Sequence, residues 1–202
     1  MRENPVWMGP SPVAIETEAK LKVESHGEVR ARLEEAGATR VGRVLETNAI
    51  FDDAGRTFLV ADKGLRVRRV DAIDGPPPQA TLTYKGPKRA GDLKSREEVE
   101  LTVSDAEAAR AFLTALGFLE TLTFQKRRET WVLGDCHVEM DELPHLGCYV
   151  EIEGPDAEAV GKVLARLELA DLPILKDSYI GLLVDHCRRH DLATDRIEFA
   201  TD

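Results

Sequence analysis

Seven stretches of this chain alternate apolar with charged residues, and the charges within a stretch fall mostly in like-signed pairs two residues apart. Val13 to Val23 sets the pattern. Val13, Ile15, Ala19, Leu21 and Val23 are apolar, while Glu16, Glu18, Lys20 and Lys22 occupy the alternate positions. Arg66 with Arg68, Lys126 with Arg128, Glu139 with Asp141 and Glu151 with Glu153 repeat the i, i+2 spacing, as do Arg96, Glu98 and Glu100; Lys85 stands alone. Strand residues two apart share a face, so each stretch reads as a strand with one apolar and one charged side. Like charges at that distance repel and gain nothing from facing water. A merely solvated face mixes signs and intersperses Ser, Thr and Gln. Seven such strands together point to a charged face that holds a ligand.

The sign balance sharpens this. With Lys176 added and Lys22 left aside, the set holds eight cations and eight acids, yet the chain carries 27 Lys and Arg against 37 Asp and Glu, a net charge of −10. The negative excess therefore lies elsewhere on the molecule, where it repels nucleic acid and anionic membranes. Neither is expected as a partner. Cationic strands suit phosphates, which Arg binds bidentately, and acidic strands suit hard divalent cations that neutralise those phosphates. No apolar run approaches the roughly 20 residues of a membrane span, and the N-terminus lacks a signal peptide's apolar core. Three Cys supply no disulfide framework, so a soluble cytoplasmic protein is expected.

At 202 residues one mid-sized domain is expected: a flexible tail over 1–12, the domain over 13–190 and a C-terminal tail over 191–202. Strands are expected at about 13–23, 42–52, 64–70, 79–85, 96–103, 123–133, 135–141 and 148–153. Helices are expected over 28–36, 104–116, 156–169 and 178–190. The second is capped by Ser104 in a capping-box pattern with Glu107. The stretches 71–78 and 86–94 read as loops lying over one mouth of the sheet. Neither offers an aromatic to stack a base, and Lys88, Arg89 and Lys94 favour a bare polyanion. An echo at an offset of 80 matches Glu18, Leu21, Val23, Arg30, Leu33 and Gly37 with Glu98, Leu101, Val103, Arg110, Leu113 and Gly117. Both halves then read strand, helix and three strands, which suggests a pseudo-symmetric eight-stranded sheet. The fold class is α+β: an antiparallel barrel with a charged lumen and helices packed on its apolar exterior.

Glu16-Thr-Glu18-Ala-Lys20 resembles the E-x-E-x-K signature that opens the CYTH domain of the triphosphate tunnel metalloenzymes. The resemblance runs in order through residues 48–52 (NAIFD), 65–69 (LRVRR), 82–87 (LTYKGP), 95–100 (SREEVE), 125–128 (QKRR), Glu139-Met-Asp141, 146–154 (LGCYVEIEG) and 176–179 (KDSY). It is closest to the class IV adenylyl cyclase-like branch. It implies a closed eight-stranded tunnel that binds a triphosphate with Mg²⁺ or Mn²⁺. By position Glu16, Glu18, Glu139, Asp141, Glu151 and Glu153 look like metal-binding acids. Arg66, Arg68, Lys85, Lys126 and Arg128 look like the phosphate clamp, supported by Lys20, Arg96 and Lys176. Lys20 and Lys85 are expected nearest the chemistry, Glu98 and Glu100 either bind metal or orient the cations, and no general base is assigned.

The substrate is then a small-molecule triphosphate: ATP, tripolyphosphate or thiamine triphosphate. Cyclisation of ATP to cyclic AMP and pyrophosphate is the first reading, and hydrolysis by a triphosphatase the second. A non-catalytic module sensing polyphosphate or nucleotide is the rival from another class. A homodimer is left open. No P-loop sequence exists to bind phosphate differently. His186, Cys187 and His190 lie at helical spacing without a zinc-protease motif and read as a solvated helix face. Cys136 and Cys148 read as buried small residues, and Trp131 and Phe124 as packing under helices.

Overall fold

The computed structural model describes residues 13–75, 77–89 and 93–200, with side chains from Thr17 onward. Its strands are β1 (Val13–Lys22), β2 (Thr39–Asp52), β3 (Gly64–Asp74), β4 (Gln79–Lys85), β5 (Lys94–Val103), β6 (Leu119–Leu133), β7 (Cys136–Leu143), β8 (Gly147–Gly154) and the two-residue β9 (Arg196–Ile197). The helices are α1 (His26–Glu35), α2 (Thr57–Val60), α3 (Ala106–Ala115), α4 (Ala157–Arg166) and α5 (Tyr179–Arg189). Strand order is β2-β3-β4-β5-β1-β8-β7-β6, and pairing of β2 with β6 closes these eight antiparallel strands into a barrel. Among the described residues no helix is long and apolar enough to cross a membrane.

Alternation sends the two strand faces to different places. The apolar residues of β1, β6, β7 and β8, including Leu21, Trp131, Val138 and Ile152, form a core outside the barrel beneath α1 and α4. A second core packs β2, β3 and β4 under α3, through Phe51, Val67 and Leu113. A third joins α5 to Leu122, Phe124, Leu143 and Tyr149. The barrel is thus inverted, with apolar packing outside and charge within.

The offset of 80 is a real repeat of structure. The pairs α1 and α3, and the starts of β2 and β6, are spaced by that interval. β1 pairs with its equivalent β5, and β2 with its equivalent β6. Gly37 and Gly117 end the two helices at φ of 73° and 92°, a left-handed conformation that Gly adopts without a Cβ penalty. On the outer face of β6, Glu129 ties the halves together. It accepts from Arg30 Nη2 at 2.8 Å, Arg40 Nε at 3.0 Å and Trp131 Nε1 at 3.0 Å.

Several local expectations need correcting. Asp105, not Ser104, caps α3: its Oδ1 accepts from Ala108 N at 2.6 Å, and an Asp acceptor next to the helix displaces the Ser one residue earlier. The expected loop 71–78 begins as strand, since β3 runs to Asp74 and pairs with Arg43 of β2. There Gly42 and Gly75 let two backbones approach so closely that a Cβ on Gly42 would meet Asp74 O at 2.5 Å. None of the described residues of that loop borders the tunnel. Within 191–202, expected as a tail, Ile197 is buried against α5 and β9 runs parallel to β6 at Thr123–Phe124. β7 pairs only from Arg127 onward, so β9 covers an edge of β6 that β7 leaves open. Residues 1–12 lie outside the described part.

Candidate active site in the barrel lumen

The lumen holds a cavity of about 850 Å³. Most of the sequence-predicted residues converge on it. Glu18 and Lys20 come from β1, Arg66 and Arg68 from β3, Lys85 from β4, Arg96 and Glu98 from β5, Lys126 and Arg128 from β6, and Glu151 and Glu153 from β8. Lys176 does not join them; it is exposed on the segment before α5 and does not border the cavity. Glu16 pairs through its backbone with Arg96, and its side chain lies outside the described part.

On one wall Arg66, Arg68, Lys85 and Lys94 are braced by neighbouring polar side chains. Arg68 donates to Asn48 Oδ1 at 3.1 Å and lies 3.2 Å from Glu46. Arg66 donates to Thr83 Oγ1 at 3.2 Å, and Thr83 in turn donates to Glu100 at 2.8 Å. Lys85 pairs with Glu98, and Lys94 with Glu18. Glu98 and Glu100 therefore orient cations here. Even so, Arg66 Nε, Arg96 Nε and Asn48 Nδ2 are buried donors without an acceptor among the described residues. Such groups carry a desolvation cost that an anion in the lumen would remove. Burial, and then repulsion from Arg68, lowers Arg66 to about 10, so the cationic wall is electrostatically strained without an anion.

Across from it lies a carboxylate nest that borders the cavity through Glu151 and Glu153, while Glu139 and Asp141 are not among the lining residues. Register places Glu139 opposite Glu151, Glu151 opposite Lys20, and Glu153 opposite Glu18. One oxygen each of Glu139, Asp141 and Glu151 lies within 4.8 Å of the others. Asp141 is fully buried and spent on cations, accepting from Arg128 at 2.7 and 2.6 Å and from Lys126 at 3.1 Å. Arg128 also reaches Glu151 at 2.7 Å and pairs with Glu139. Against the cost of burial, Asp141, Glu139 and Glu46 keep Arg128 charged, while Lys20, Lys126 and Arg128 hold Glu151 well below the carboxylate range. Acids still outnumber cations here. Burial raises Glu139 to about 7, with Asp141 and Glu151 adding to it, and burial and Glu139 raise Glu153 to about 7. Two acids reluctant to ionise beside ionised ones form an oxygen-donor set that suits a hard divalent cation, which would displace their protons.

Three elements of this site escaped sequence reading. Glu46 sits beneath the cations, 3.2 Å from Arg68 and 3.4 Å from Lys126, and these outweigh its burial to keep it ionised. Its shared strand face with Asn48, alternating with Leu45 and Thr47, was the available signal. Tyr179 is buried in the lumen with Lys20 Nζ 3.9 Å from its ring centre. Lys20 also donates to Asp177 O at 3.0 Å, and burial lowers its pKa. Last, α2 stands at the cavity mouth, held by Asp52, whose carboxylate accepts from Phe58 N and Leu59 N, both at 3.0 Å. Phe58 and Leu59 of α2, with Ile50, Leu122, Phe124 and Val184, add an apolar patch to the lining, and Ile50 pairs across the strands with Arg66.

Comparison with known proteins agrees with this construction. A "putative adenylate cyclase" of Methanocaldococcus jannaschii is 28% identical over 177 residues, covering 83% of this chain and 98% of its own. A Pyrococcus horikoshii protein of known structure superposes with a TM-score of 0.72 at 28% identity, over 85% of this chain and 99% of its own. A Hippeastrum protein, described as an adenylyl cyclase candidate with a dominant triphosphatase activity, shares the fold at a TM-score of 0.63 and 16% identity, over 89% and 96%. The CYTH domain family matches residues 14–171, and with an inverted, charge-lined barrel built on those residues the chain belongs to that family.

Proposed function

We propose that the protein is a divalent-metal-dependent enzyme acting on an organic triphosphate, with ATP cyclisation as its reaction. The observation that carries the reading is that one cavity combines unsatisfied buried donors on Arg66, Arg96 and Asn48 with an apolar patch from Ile50, Leu122 and Phe124 beside them. A bare polyanion would satisfy only the first. A cavity of about 850 Å³ is in the range that encloses a drug-sized organic ligand. The apolar patch comes from β2, β6, α2 and α5 rather than from the loops, so the lack of aromatics in 71–78 and 86–94 does not argue against a nucleoside. The names of the Methanocaldococcus and Hippeastrum relatives support the same substrate class.

In this reading Arg66, Arg68 and Arg96 grip the phosphate chain, and Lys126 and Arg128 neutralise it from the β6 side. Glu46, Glu100 and Asp141 fix cations of this set, and Glu98 fixes Lys85, so that they need not reorganise when the substrate arrives. Glu18, Glu139, Glu151 and Glu153 would hold Mg²⁺ or Mn²⁺, which supplies charge neutralisation at the phosphoryl oxygens. Lys20 and Lys85 stand nearest the reacting phosphate. Tyr179 buries the far side of Lys20, keeping water from that ammonium.

Hydrolysis is the second reading, favoured by the triphosphatase activity of the Hippeastrum protein. Incubation with ATP and Mn²⁺ followed by chromatography separates the two. Cyclic AMP with pyrophosphate supports cyclisation, whereas ADP with orthophosphate, or cleavage of tripolyphosphate alone, gives the hydrolase. Turnover of none of these, with the ligand still bound, would leave a sensing module.

A further inference from the structure

Outside the tunnel, three of the chain's five histidines meet on one surface. His186 and His190 lie one helical turn apart at the end of α5, with ring centres 4.4 Å apart. His145 reaches them from the turn between β7 and β8, its ring stacked on His186 at 5.8 Å and 13°. His145 adopts φ of 63°, a left-handed conformation uncommon outside glycine, and it is this turn that carries the third ring to the helix. His145 and His190 are exposed and His186 is half-buried. Cys187 faces the other way, into the core beneath α5, and takes no part.

We propose that His145, His186 and His190 form a binding site for a borderline transition-metal ion such as Zn²⁺, distinct from the carboxylates of the lumen. Imidazole nitrogens roughly 2 Å from one tetrahedral ion place their ring centres roughly 5 Å apart, and the two measured separations bracket that value. As they stand, His145 stacks on His186 and His190 is tilted against it, so the rings must turn about Cβ–Cγ to aim their nitrogens at one point; the two exposed rings have room to do so. Imidazole suits Zn²⁺, Ni²⁺ and Cu²⁺, while carboxylates suit Mg²⁺ and Mn²⁺, so the two sites select different ions by ligand chemistry. Three protein ligands leave one coordination position for water or an external ligand. The bound ion would join the β7–β8 turn to the helix whose first residue is Tyr179 of the tunnel.

The test uses the full chain freed of metal, titrated with Zn²⁺ against a chromophoric chelator and with Co²⁺ by visible absorption, in excess Mg²⁺. One equivalent of Zn²⁺ is expected to bind, with Co²⁺ giving the intense bands of a four-coordinate site. His145→Ala and His190→Ala should each weaken binding at least about tenfold, since disturbing even an outer partner of a ligand costs that much. Glu18→Gln should leave it unchanged. Binding indifferent to His145→Ala would reduce the site to an ordinary helical His pair and overturn the proposal. So would Zn²⁺ binding abolished by Glu18→Gln, or no binding at all. Circular dichroism on His145→Ala, an exposed turn residue, checks that lost binding is not lost folding.

Discussion

Glu129 offers a sharp test of how the outer face of the barrel is held. Its carboxylate is almost fully buried and receives Arg30, Arg40 and Trp131. Burial works against ionisation, but hydrogen bonds from Arg30 and Arg40 overcome it and hold the group at about 2 rather than 4.5. A carboxyl depressed in this way stabilises the fold at pH values above its unfolded pKa, and the contribution is lost as pH falls through the folded value. At about 1.4 kcal/mol per pH unit the ceiling is about 3 kcal/mol. Both arginines are more than one-third exposed, so solvent screening reduces this to roughly 1–2 kcal/mol. Glu129→Gln keeps the volume and an acceptor for Trp131 while removing the charge. It should lose roughly 1–2 kcal/mol at pH 7, a fall in Tm of roughly 3–6 °C for a chain of this length. Urea unfolding of both proteins from pH 7 to pH 2 is the assay. Their difference should persist to about pH 4.5 and shrink towards pH 2. A difference equally large at pH 2 and pH 7 would refute the ion-pair account and leave packing as the cause.

Glu139 and Glu153, raised to about 7, act with the opposite sign: they retain protons that the unfolded chain releases. Metal-free protein should therefore lose stability as pH rises from about 4.5 to about 7, and Mg²⁺ or Mn²⁺ should restore it in thermal melts at pH 8. Tripolyphosphate with Mg²⁺ should raise Tm, and a scan with no response to tripolyphosphate, pyrophosphate or sulfate would count against an anion-binding lumen. Arg68→Ala should lower kcat/KM by about 10- to 100-fold, the worth of one charge-assisted hydrogen bond, and unchanged kinetics would remove Arg68 from the clamp. Glu18→Gln should abolish metal-dependent turnover with an unchanged far-UV spectrum; full activity at limiting metal would show that Glu18 holds none.

The barrel was legible because period-two alternation is a global signal. Arg66 with Arg68 and Glu151 with Glu153 declare both their strand and their face, and no competing element has that period. The repeat at 80 residues was legible for a related reason, since Gly37 and Gly117 mark equivalent helix ends. What stayed hidden depends on tertiary contact. Four residues cannot show helical periodicity, so α2 is invisible until Asp52 is seen capping it from β2. Glu46 lies on a strand whose other inward residues include Asn48 and Ile50, and the mixed composition conceals that it faces the cations. Lys176 shows the converse: sequence position beside α5 gave it a place in the clamp, yet its segment leaves it exposed. The Asp141 carboxylate could be counted as an acid from sequence, but not that Arg128 and Lys126 would use both its oxygens.

Closure of the barrel through β2 and β6 bears on how the chain is made. On a ribosome β2 emerges 80 residues before its partner β6, an interval of roughly 4 to 16 s at ordinary elongation rates. Through that time β3 can pair with one side of β2, but the other remains an open edge of 14 residues. Arg40, Arg43, Glu46 and Asn48 punctuate the edge with polar groups, the device by which sheets discourage pairing with neighbouring chains. Glu46 thus serves the nascent chain before it serves the finished tunnel, and its replacement by an apolar residue would threaten yield through aggregation during synthesis as well as activity afterwards.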